Sequence, residues 1–524
     1  MDGGRMATDG AIKGARFRFR TASAVIMTSV LALAVGAQPA AASDGPPEEE
    51  AGIAWTACEG LEEQFQCARV RVPLDWDEPD GEQIELAVIK HLASRPEERI
   101  GSMFLNPGGP GQSGVGLVRD GADDLDAWGG GRFDLVGWDP RGTNDSTPVR
   151  CFTSDEERDA FWAGVSIPST PAESEAYQQK TLDLAKRCGE LSGNLLSHIT
   201  TADTARDLDR LRALVGDEQL TYAGLSYGTF IGQTYANLFP GRVRAMLLDG
   251  LINPVDSSTS EEANIANAVS SADEVFEQFL LACQNAAPGE CALAGHGEPV
   301  KDRVAALFER TRQAPIPAPN ADPPGELSYG DLQVSTFTPL RLPLTWPQFA
   351  ADLDAAAEGD ASALETAARA LQSPVGMIAS TTSTAISCGD APARVPVADW
   401  PQQIPRFTEA GKLWGSVLGW WLWAPCASGW QADATDRYTG PWNATTPNPI
   451  LLMGARYDPG TPYRNAVSAE QRLGNAVLVT LNGYGHPSYQ VPSACMDKLR
   501  VSYLVDLVTP PRGTVCQPDE APFG

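Results

Sequence analysis

Residues 219–229, QLTYAGLSYGT, decide the fold of this 524-residue chain. The first part, 219–223, predicts a strand, whereas the residues from about Tyr227 to Leu238 predict a helix. Between them lies a Gly-x-Ser-x-Gly turn, in which small residues must flank the serine because the chain reverses so sharply. Such a turn exposes the hydroxyl of Ser226 and leaves the amide of Tyr227 at the N-terminus of the helix. Ser226 is therefore the candidate nucleophile.

A serine nucleophile needs a base and an acid that orients the base. Of the four histidines, His486 directly follows the last predicted strand, in the segment Gly-Tyr-Gly-His. Asp458 follows the preceding predicted strand and is the candidate orienting acid. The chain order Ser226, Asp458, His486 is typical of the α/β-hydrolase fold and differs from the order in the two common serine protease folds.

A second loop is expected to complete an oxyanion hole. Residues 106–111, NPGGPG, follow the third predicted strand, and their glycines allow backbone amides to approach a tetrahedral intermediate. We expect the amides of Gly109 and Tyr227 to hold the oxyanion. The same loop also matches the dinucleotide pattern G-x-G-x-x-G, but Pro110 interrupts that turn, so we predict no cofactor. The sequence has no C-x-x-C pair, and we predict no metal site.

Strand-like and helix-like segments alternate on both sides of a differently composed central region. The predicted strands are 67–73, 84–90, 101–105, 133–138, 219–223, 243–248, 449–454 and 476–481, and helices are predicted at 203–215, 227–238 and 493–508. This alternation predicts the α/β class with a mostly parallel sheet. The central region has Ala-rich helical stretches and a Pro-rich loop, and it predicts a mainly helical inserted lid. We assign 43–254 and 441–524 to an α/β-hydrolase core and 255–440 to the lid.

The N-terminus has the three parts of a secretory signal peptide. A basic stretch from Arg16 to Arg20 precedes an apolar run at 22–35 and a small-residue site at 40–42. The run is shorter than the ~20 residues that a membrane span needs. We therefore expect a signal peptide at 1–42, cleaved near Ala42, and a secreted protein without a membrane span.

Charge and cysteine content fit this expectation. Asp and Glu number 67 against 39 Lys and Arg, and the net charge of -28 excludes nucleic acid as a partner. The ten cysteines are expected to form disulfides. Sequence does not choose among the connectivities, although pairing of consecutive cysteines is the simplest, since Cys58 and Cys67, and Cys283 and Cys291, could close small loops. The oligomeric state stays open.

Six motifs that occur in order resemble those of the secreted bacterial tripeptidyl aminopeptidases, which are α/β-hydrolase relatives of proline iminopeptidases. They are NPGGPG at 106–111, DPRG at 139–142, GLSYGT at 224–229, DG at 249–250, DxxTP at 458–462 and GxGH at 483–486. The similarity extends from about Cys58 to Cys516. Proline iminopeptidases usually have His at the position of Asn106, so the tripeptidyl branch fits better. The resemblance implies the nucleophile, acid and base named above, and an exopeptidase that releases short peptides, tripeptides above all, from free N-termini of peptides or proteins.

An exopeptidase needs a carboxylate that binds the substrate ammonium at a fixed distance from the nucleophile. The candidates are Asp390 and, at the start of the insertion, Glu261 and Glu262. We expect Asp139 and Arg141 to brace the site through a buried ion pair. Two other functions are kept open, namely a secreted esterase or lipase on the same fold, and a catalytically inactive surface binding protein that retained it.

Overall fold

The computed structural model of the chain describes residues 52–373, 381–390, 395–423, 426, 430, 434 and 436–524. The predicted signal peptide, 1–42, lies outside them and stays a prediction. The described strands are Thr56–Ala57 (β1), Phe65–Pro73 (β2), Gln83–His91 (β3), Gly101–Asn106 (β4), Phe133–Trp138 (β5), Leu220–Leu225 (β6), Val243–Asp249 (β7), Ile316–Ala318 (β8), Gly325–Leu327 (β9), Ile450–Tyr457 (β10), Ala476–Tyr484 (β11) and Val515–Cys516 (β12).

Ten of these strands form one sheet in the order β1-β2-β3-β5-β4-β6-β7-β10-β11-β12. From β5 to β12 every neighbouring pair is parallel, whereas β1, β2 and β3 extend the other edge in antiparallel pairs. The predicted α/β class with a mostly parallel sheet is therefore confirmed. Strand β6 lies next to β4, and their register pairs Gly224 with Asn106. The Ser226 turn and the 106–111 loop consequently leave the sheet side by side.

The α-helices of the described residues cover both faces of this sheet and fill the insertion. They are Gly114–Trp128 (α1), Asp155–Trp162 (α2), Pro171–Ser192 (α3), Thr201–Leu214 (α4), Tyr227–Leu238 (α5), Pro254–Thr259 (α6), Glu261–Gln284 (α7), Val300–Gln313 (α8), Tyr329–Ser335 (α9), Phe337–Arg341 (α10), Trp346–Glu358 (α11), Ser362–Gln372 (α12), Thr381–Asp390 (α13), Ile404–Ala410 (α14), Gly415–Leu418 (α15), Tyr463–Arg472 (α16) and Ala494–Asp506 (α17).

Successive side chains of the central strands point to opposite faces of the sheet and so belong to two different hydrophobic cores. Tyr222 and Leu248 belong to one core with residues of α4, α5 and α16, and Ala223 and Leu247 belong to the other with residues of α1 and α17. All four side chains are fully buried, which explains why β6 and β7 are almost continuously apolar. Helices on both faces hold the sheet rigid, so the turns at its carboxyl edge are well positioned for a site.

The chain between β7 and β10 is mainly helical, as expected for the insertion. Helices α6 to α15 lie there, together with a short antiparallel hairpin of β8 and β9 that the sequence did not predict. Phe279 of α7 packs against Trp346 and Phe349 of α11, with ring centroids 5.4 and 5.0 Å apart. The insertion therefore has an aromatic interior of its own. Its predicted bounds, 255 and 440, stay predictions.

Helices α2 and α3 form a second helical segment, between β5 and α4, that was not predicted from the sequence. Tyr177 of α3 packs edge-on against Trp420 of the insertion at 5.5 Å. A signal for α3 was present, because Thr170 and Glu173 form a capping box with Pro171 at the first helical position.

The five disulfides join consecutive cysteines in every case, which was the simplest connectivity. The pairs are Cys58–Cys67, Cys151–Cys188, Cys283–Cys291, Cys388–Cys426 and Cys495–Cys516. Among the helices of the described residues, none combines the length and the hydropathy that a bilayer span requires.

Candidate active site

Ser226 occupies a strained turn between β6 and α5. Its backbone has φ 53° and ψ −122°, a conformation that residues other than glycine rarely adopt. A Cβ atom on Gly224 would lie 2.4 Å from the carbonyl oxygen of Gly228, and one on Gly228 would lie 2.8 Å from that of Asn106. Both glycines are thus required by the close approach of the backbone, and the turn presents the serine hydroxyl above the sheet.

His486 and Asp458 complete a hydrogen-bonded chain with Ser226. His486 Nε2 lies 2.9 Å from Ser226 Oγ, and its Nδ1 lies 2.8 Å from Asp458 Oδ2. Because a carboxylate only accepts hydrogen bonds, Nδ1 carries the proton and Nε2 is left to accept the serine proton. The histidine and aspartate side chains are buried, at 4% and 2% exposure of their residues, so water does not compete for these bonds.

The carboxylate of Asp458 is itself held by the loop that follows it. Its Oδ1 accepts hydrogen bonds from the amides of Gly460 and Thr461 at 2.8 and 2.7 Å, and Thr461 Oγ1 donates to Oδ2 at 3.0 Å. These three donors satisfy the buried charge and fix the plane of the carboxylate towards the imidazole. The arrangement can perform general base catalysis on a serine hydroxyl.

The loop after β4 lies directly against the nucleophile turn. Gly108 and Gly109 have φ +95° and +107°, and a Cβ atom on Gly108 would lie 2.8 Å from the amide nitrogen of Tyr227. Asn106 Oδ1 accepts a hydrogen bond from the Gly108 amide at 2.9 Å, which fixes the start of the loop. Gly109 and Tyr227 line one cavity with Ser226, and their role as oxyanion donors stays a prediction.

Two cavities meet at Ser226. We call one the lid cavity and the other the histidine cavity. Gly109, Ser226, Phe337 and Arg341 line both of them. The lid cavity is also lined by Tyr227, Phe230, Ile252, Asp390, Trp414, Leu418 and Trp421, and the histidine cavity by Gln112, Thr338, His486, Tyr489 and Gln490.

Asp390 is the predicted ammonium ligand that the structure brings to the lid cavity. Its Oδ1 accepts a hydrogen bond from the Thr201 amide at 2.9 Å, and its Oδ2 accepts one from Thr201 Oγ1 at 2.6 Å. Thr201 begins α4, so the carboxylate also lies at the positive end of a helix dipole. Burial raises the pKa of Asp390 to about 6, against the effect of the Thr201 hydrogen bonds.

The two glutamates are placed differently. Glu262 is exposed and forms an ion pair with Arg406 at 3.3 Å, and it does not line the lid cavity. Glu261 begins α7, but its side chain lies outside the described residues. Of the two candidates whose side chains the structure describes, Asp390 is the one that lies on a wall shared with Ser226.

The expected ion pair between Asp139 and Arg141 is wrong. Arg141 instead makes a fully buried pair with Asp207 of α4, at 2.6 Å, and donates further bonds to backbone carbonyls. Asp139 accepts hydrogen bonds from Ser113 Oγ at 2.5 Å and from the amide of Val115 at the start of α1. The partners differ because α4 packs over the 139–142 loop, and sequence proximity carries no information about that packing.

Two further residues at the site were not predicted as functional. The buried carboxylate of Asp249 accepts hydrogen bonds from the amide and hydroxyl of Ser488 and from the amide of Tyr489, at 2.9 to 3.0 Å, and so anchors the loop that carries His486. The motif DG at 249–250 was a signal for this role. Arg341 lines both cavities, and no sequence motif marks it.

Comparison with known proteins agrees with this geometry. A family described as alpha/beta hydrolase fold matches residues 101–289, and one described as TAP-like protein matches residues 412–516. Serine protease Hip1 of Mycobacterium tuberculosis is 31% identical over 88% of this chain and 91% of its own length. Tripeptidyl aminopeptidase of Streptomyces lividans is 31% identical over 90% and 88%, and Carboxylesterase B of M. tuberculosis is 32% identical over 86% of each chain. The chain therefore belongs to the tripeptidyl aminopeptidase family of α/β-hydrolase enzymes.

Proposed function

We propose that this protein is a secreted serine exopeptidase that releases short peptides, tripeptides above all, from free N-termini of peptides or proteins. The names of two relatives support peptide hydrolysis. The hydrogen-bonded chain of Ser226, His486 and Asp458 supports acyl transfer through a serine. Neither observation distinguishes an exopeptidase from another serine hydrolase, and that distinction depends on Asp390.

In the first half of the reaction, Ser226 Oγ attacks the scissile carbonyl carbon while His486 Nε2 takes the hydroxyl proton. The carbonyl oxygen becomes an oxyanion, for which the amides of Gly109 and Tyr227 are the proposed donors. The carbon–nitrogen bond then breaks, and His486 gives its proton to the leaving amine. The product of this half is a peptidyl ester of Ser226, and Asp458 orients the imidazole throughout.

In the second half, water replaces the leaving amine. His486 takes one proton from the water as its oxygen attacks the ester carbonyl, and a second tetrahedral intermediate forms in the same oxyanion hole. The bond to Ser226 Oγ breaks, and His486 returns the proton to that oxygen. The released peptide leaves as a carboxylate, and the enzyme regains its starting protonation.

The observation that carries the exopeptidase proposal is the half-buried carboxylate of Asp390 in the lid cavity. Its hydrogen bonds come from Thr201 and from the hydroxyl of Tyr227, which are neutral, whereas the positive charge of Arg437 lowers the pKa of the carboxyl. A carboxylate in a largely apolar cavity is costly unless a cation meets it. A substrate ammonium in the lid cavity would add a cation in direct contact with the carboxylate, and it would fix the length of peptide between Asp390 and Ser226.

The test compares three substrates, a tripeptide anilide with a free amine, its N-acetylated form and a nitrophenyl ester. We expect kcat/KM for the free peptide to exceed that for the acetylated peptide by at least about tenfold, the effect of one charged hydrogen bond. A preference for the acetylated peptide would exclude the aminopeptidase function. A free peptide anilide of two or four residues, cleaved as well as the tripeptide, would contradict only the tripeptide length.

An esterase is the second candidate, and one feature favours it. The lid cavity is lined by the aromatic side chains of Phe230, Phe337, Trp414 and Trp421, which would suit an apolar acyl chain, and one relative is named Carboxylesterase B. Faster turnover of the ester than of any peptide, with no effect of the free amine, would support it. For a catalytically inactive binding protein we expect no labelling of Ser226 by a fluorophosphonate, and the 2.9 Å contact of Ser226 with His486 argues against that alternative.

Secretion is part of the proposal because of the predicted signal peptide and the five disulfides. Disulfides form and persist in oxidising compartments. The test is N-terminal sequencing of protein recovered from the culture medium. A mature chain that begins near Ser43 is expected, and retention of residues 1–42 in the cell would contradict the proposal.

A further inference from the structure

Arg341, the last residue of α10, lies at the junction of the lid cavity and the histidine cavity. Its carbonyl oxygen accepts a hydrogen bond from the amide of His486 at 3.0 Å, so the insertion and the catalytic loop meet at this residue. The guanidinium carbon lies 4.0 Å from the ring centroid of Phe337, which also lines both cavities. The side chain therefore stands beside the position where a scissile bond would lie.

The two cavities differ in charge. The lid cavity has the carboxylate of Asp390 in its wall, whereas no carboxylate is present in the described lining of the histidine cavity. Burial lowers the pKa of Arg341 to about 10, against the opposing effect of Asp458, so the guanidinium stays a cation at neutral pH. The other polar side chains of the histidine cavity, apart from His486, are neutral. The described lining of the histidine cavity thus contains one arginine and no carboxylate.

The proposed role of His486 determines the direction in which a peptide must bind. His486 must protonate the leaving amine, and His486 lines the histidine cavity, so the leaving group belongs there. The acyl part, with the free ammonium, belongs in the lid cavity with Asp390. A peptide bound in this direction places its positive end at an acid and its leaving group beside a cation.

We propose that the histidine cavity binds a carboxylate of the leaving group through Arg341. The carboxylate is either the free C-terminus of a leaving group of one residue or the acidic side chain of the residue after the scissile bond. A guanidinium offers a planar fork of N–H donors that matches a carboxylate in both cases. This inference rests on the proposed peptidase function, which it deepens by naming the substrate class.

Two matched pairs of tetrapeptides test it, with cleavage after the third residue measured by mass spectrometry. The first pair is Ala-Ala-Ala-Ala with a free carboxylate and the same peptide as its amide. The second is the amide of Ala-Ala-Ala-Asp and that of Ala-Ala-Ala-Asn. We expect kcat/KM to be about tenfold higher for the anionic member of one pair or both. A preference in the first pair identifies the terminal carboxylate as the source, and one in the second identifies the side chain. Equal rates in both pairs would overturn the proposal.

Variants connect the preference to Arg341. In Arg341→Met we expect the two members of each pair to be cleaved at equal rates, and in Arg341→Lys we expect part of the preference to remain. Arg312→Met is the matched control, since Arg312 is an exposed arginine of the insertion that pairs with Glu309, and it should keep the full preference. If Arg341→Met instead lowers kcat/KM by the same factor for all four peptides, Arg341 acts on Asp458 and the carboxylate site is excluded.

Inhibition of ester hydrolysis distinguishes failure of the carboxylate site from failure of the proposed peptidase function. If the wild type cleaves no peptide but hydrolyses a nitrophenyl ester, the proposed function fails, and the carboxylate site is tested by inhibition of ester hydrolysis. Succinate should then inhibit about tenfold more strongly than succinamide in the wild type, and equally in Arg341→Met. Equal inhibition in the wild type would overturn the carboxylate site. Thermal unfolding and fluorophosphonate labelling show whether each variant is folded. If Arg341→Met does not fold, Arg341→Lys takes its place in the comparison of anionic and neutral ligands.

Discussion

The sheet core and the helical insertion contribute different things to one site. The core supplies Ser226, Asp458 and His486, each on a turn within two residues of the carboxyl end of a parallel strand. The insertion supplies Asp390 and Arg341, which lie on helices and reach the site by packing against the core. In this arrangement the proposed bond-breaking groups are positioned by backbone turns, whereas the proposed substrate-binding groups are positioned by helices. Changes in the core should therefore affect all substrates alike, and changes in the insertion should affect some substrates only.

The largest expected effect follows from Ser226→Ala. Removal of the nucleophile should lower kcat by roughly 10⁶-fold, for the peptide and the ester equally, because both need the same acyl-enzyme. Ser257→Ala is the matched control, since Ser257 also lines the lid cavity but belongs to the insertion. Anilide and ester assays measure both variants, and a fluorophosphonate checks the site of labelling. Residual peptidase activity within tenfold of the wild type would contradict the assignment of Ser226.

Asp249→Asn is expected to cause a smaller loss of kcat that again affects peptide and ester alike. The carboxylate accepts three hydrogen bonds from Ser488 and Tyr489, and an amide offers one acceptor oxygen and an NH₂ that would face donors. We expect the free energy of unfolding to fall by about 2 kcal/mol and kcat to fall roughly 100-fold for peptide and ester, because the His486 loop loses its anchor.

Denaturant unfolding and steady-state kinetics measure these effects of Asp249→Asn. Asp120→Asn, an exposed carboxylate of α1 paired with Arg119, is the control that should change neither quantity. A selective loss of peptide turnover in Asp249→Asn, with ester turnover retained, would contradict an anchoring role in the core.

The contrast between the two regions also explains how far the sequence could predict the structure. Strand β6 and helix α5 were predicted within two residues, because a Gly-x-Ser-x-Gly turn requires small residues that are visible in the sequence. The candidate residues Ser226, Asp458 and His486 were identified for the same reason, since each follows a strand end in the expected order. Their roles remain proposals that the variants above test.

Packing between distant segments could not be predicted in the same way. Arg141 pairs with Asp207, which is 66 residues away on α4, and a sequence gives no register for that contact. Arg341 is in contact with the catalytic loop only because α10 ends where it packs against Gly485 and His486. Asp390 was one of three carboxylates that the sequence left open, and only the packing of α13 against α4 separates it from Glu262.

Among changes in the insertion, Asp390→Asn should discriminate most clearly between the free peptide and the acetylated one. We expect kcat/KM for a free tripeptide anilide to fall roughly 10–100-fold through KM, while the acetylated peptide and the ester change little, because only the ammonium loses its partner. Glu262→Gln is the control, since Glu262 is exposed and pairs with Arg406. An equal loss for the free and the acetylated peptide would show that Asp390 only stabilises the insertion.

Protonation of Asp390 at low pH removes its charge without a substitution, so the free and the acetylated peptide can also be compared across pH. Burial raises the pKa of this carboxyl to about 6, so it is ionised above that pH and neutral below it. The ratio of kcat/KM for the free and the acetylated peptide should therefore fall as the pH is lowered through about 6, and in Asp390→Asn it should stay constant. Measurement of both peptides at each pH cancels the titration of the shared catalytic groups. A constant ratio in the wild type would argue against an ionised Asp390 at the ammonium.

The smallest effect on catalysis is expected from the disulfide Cys388–Cys426, which ties α13 to a cysteine five residues after Trp421 of the lid cavity. Replacement of both cysteines by serine should lower stability by about 3 kcal/mol and raise KM for the free peptide a few-fold, because Asp390 lies two residues from Cys388. The same replacement at Cys58–Cys67, at the edge of the sheet, should affect stability alone. Calorimetry and KM values for peptide and ester compare the two variants. If both leave KM unchanged, the carboxylate of Asp390 is held by Thr201 and α4 rather than by the disulfide, and the insertion then depends on the core for its precision.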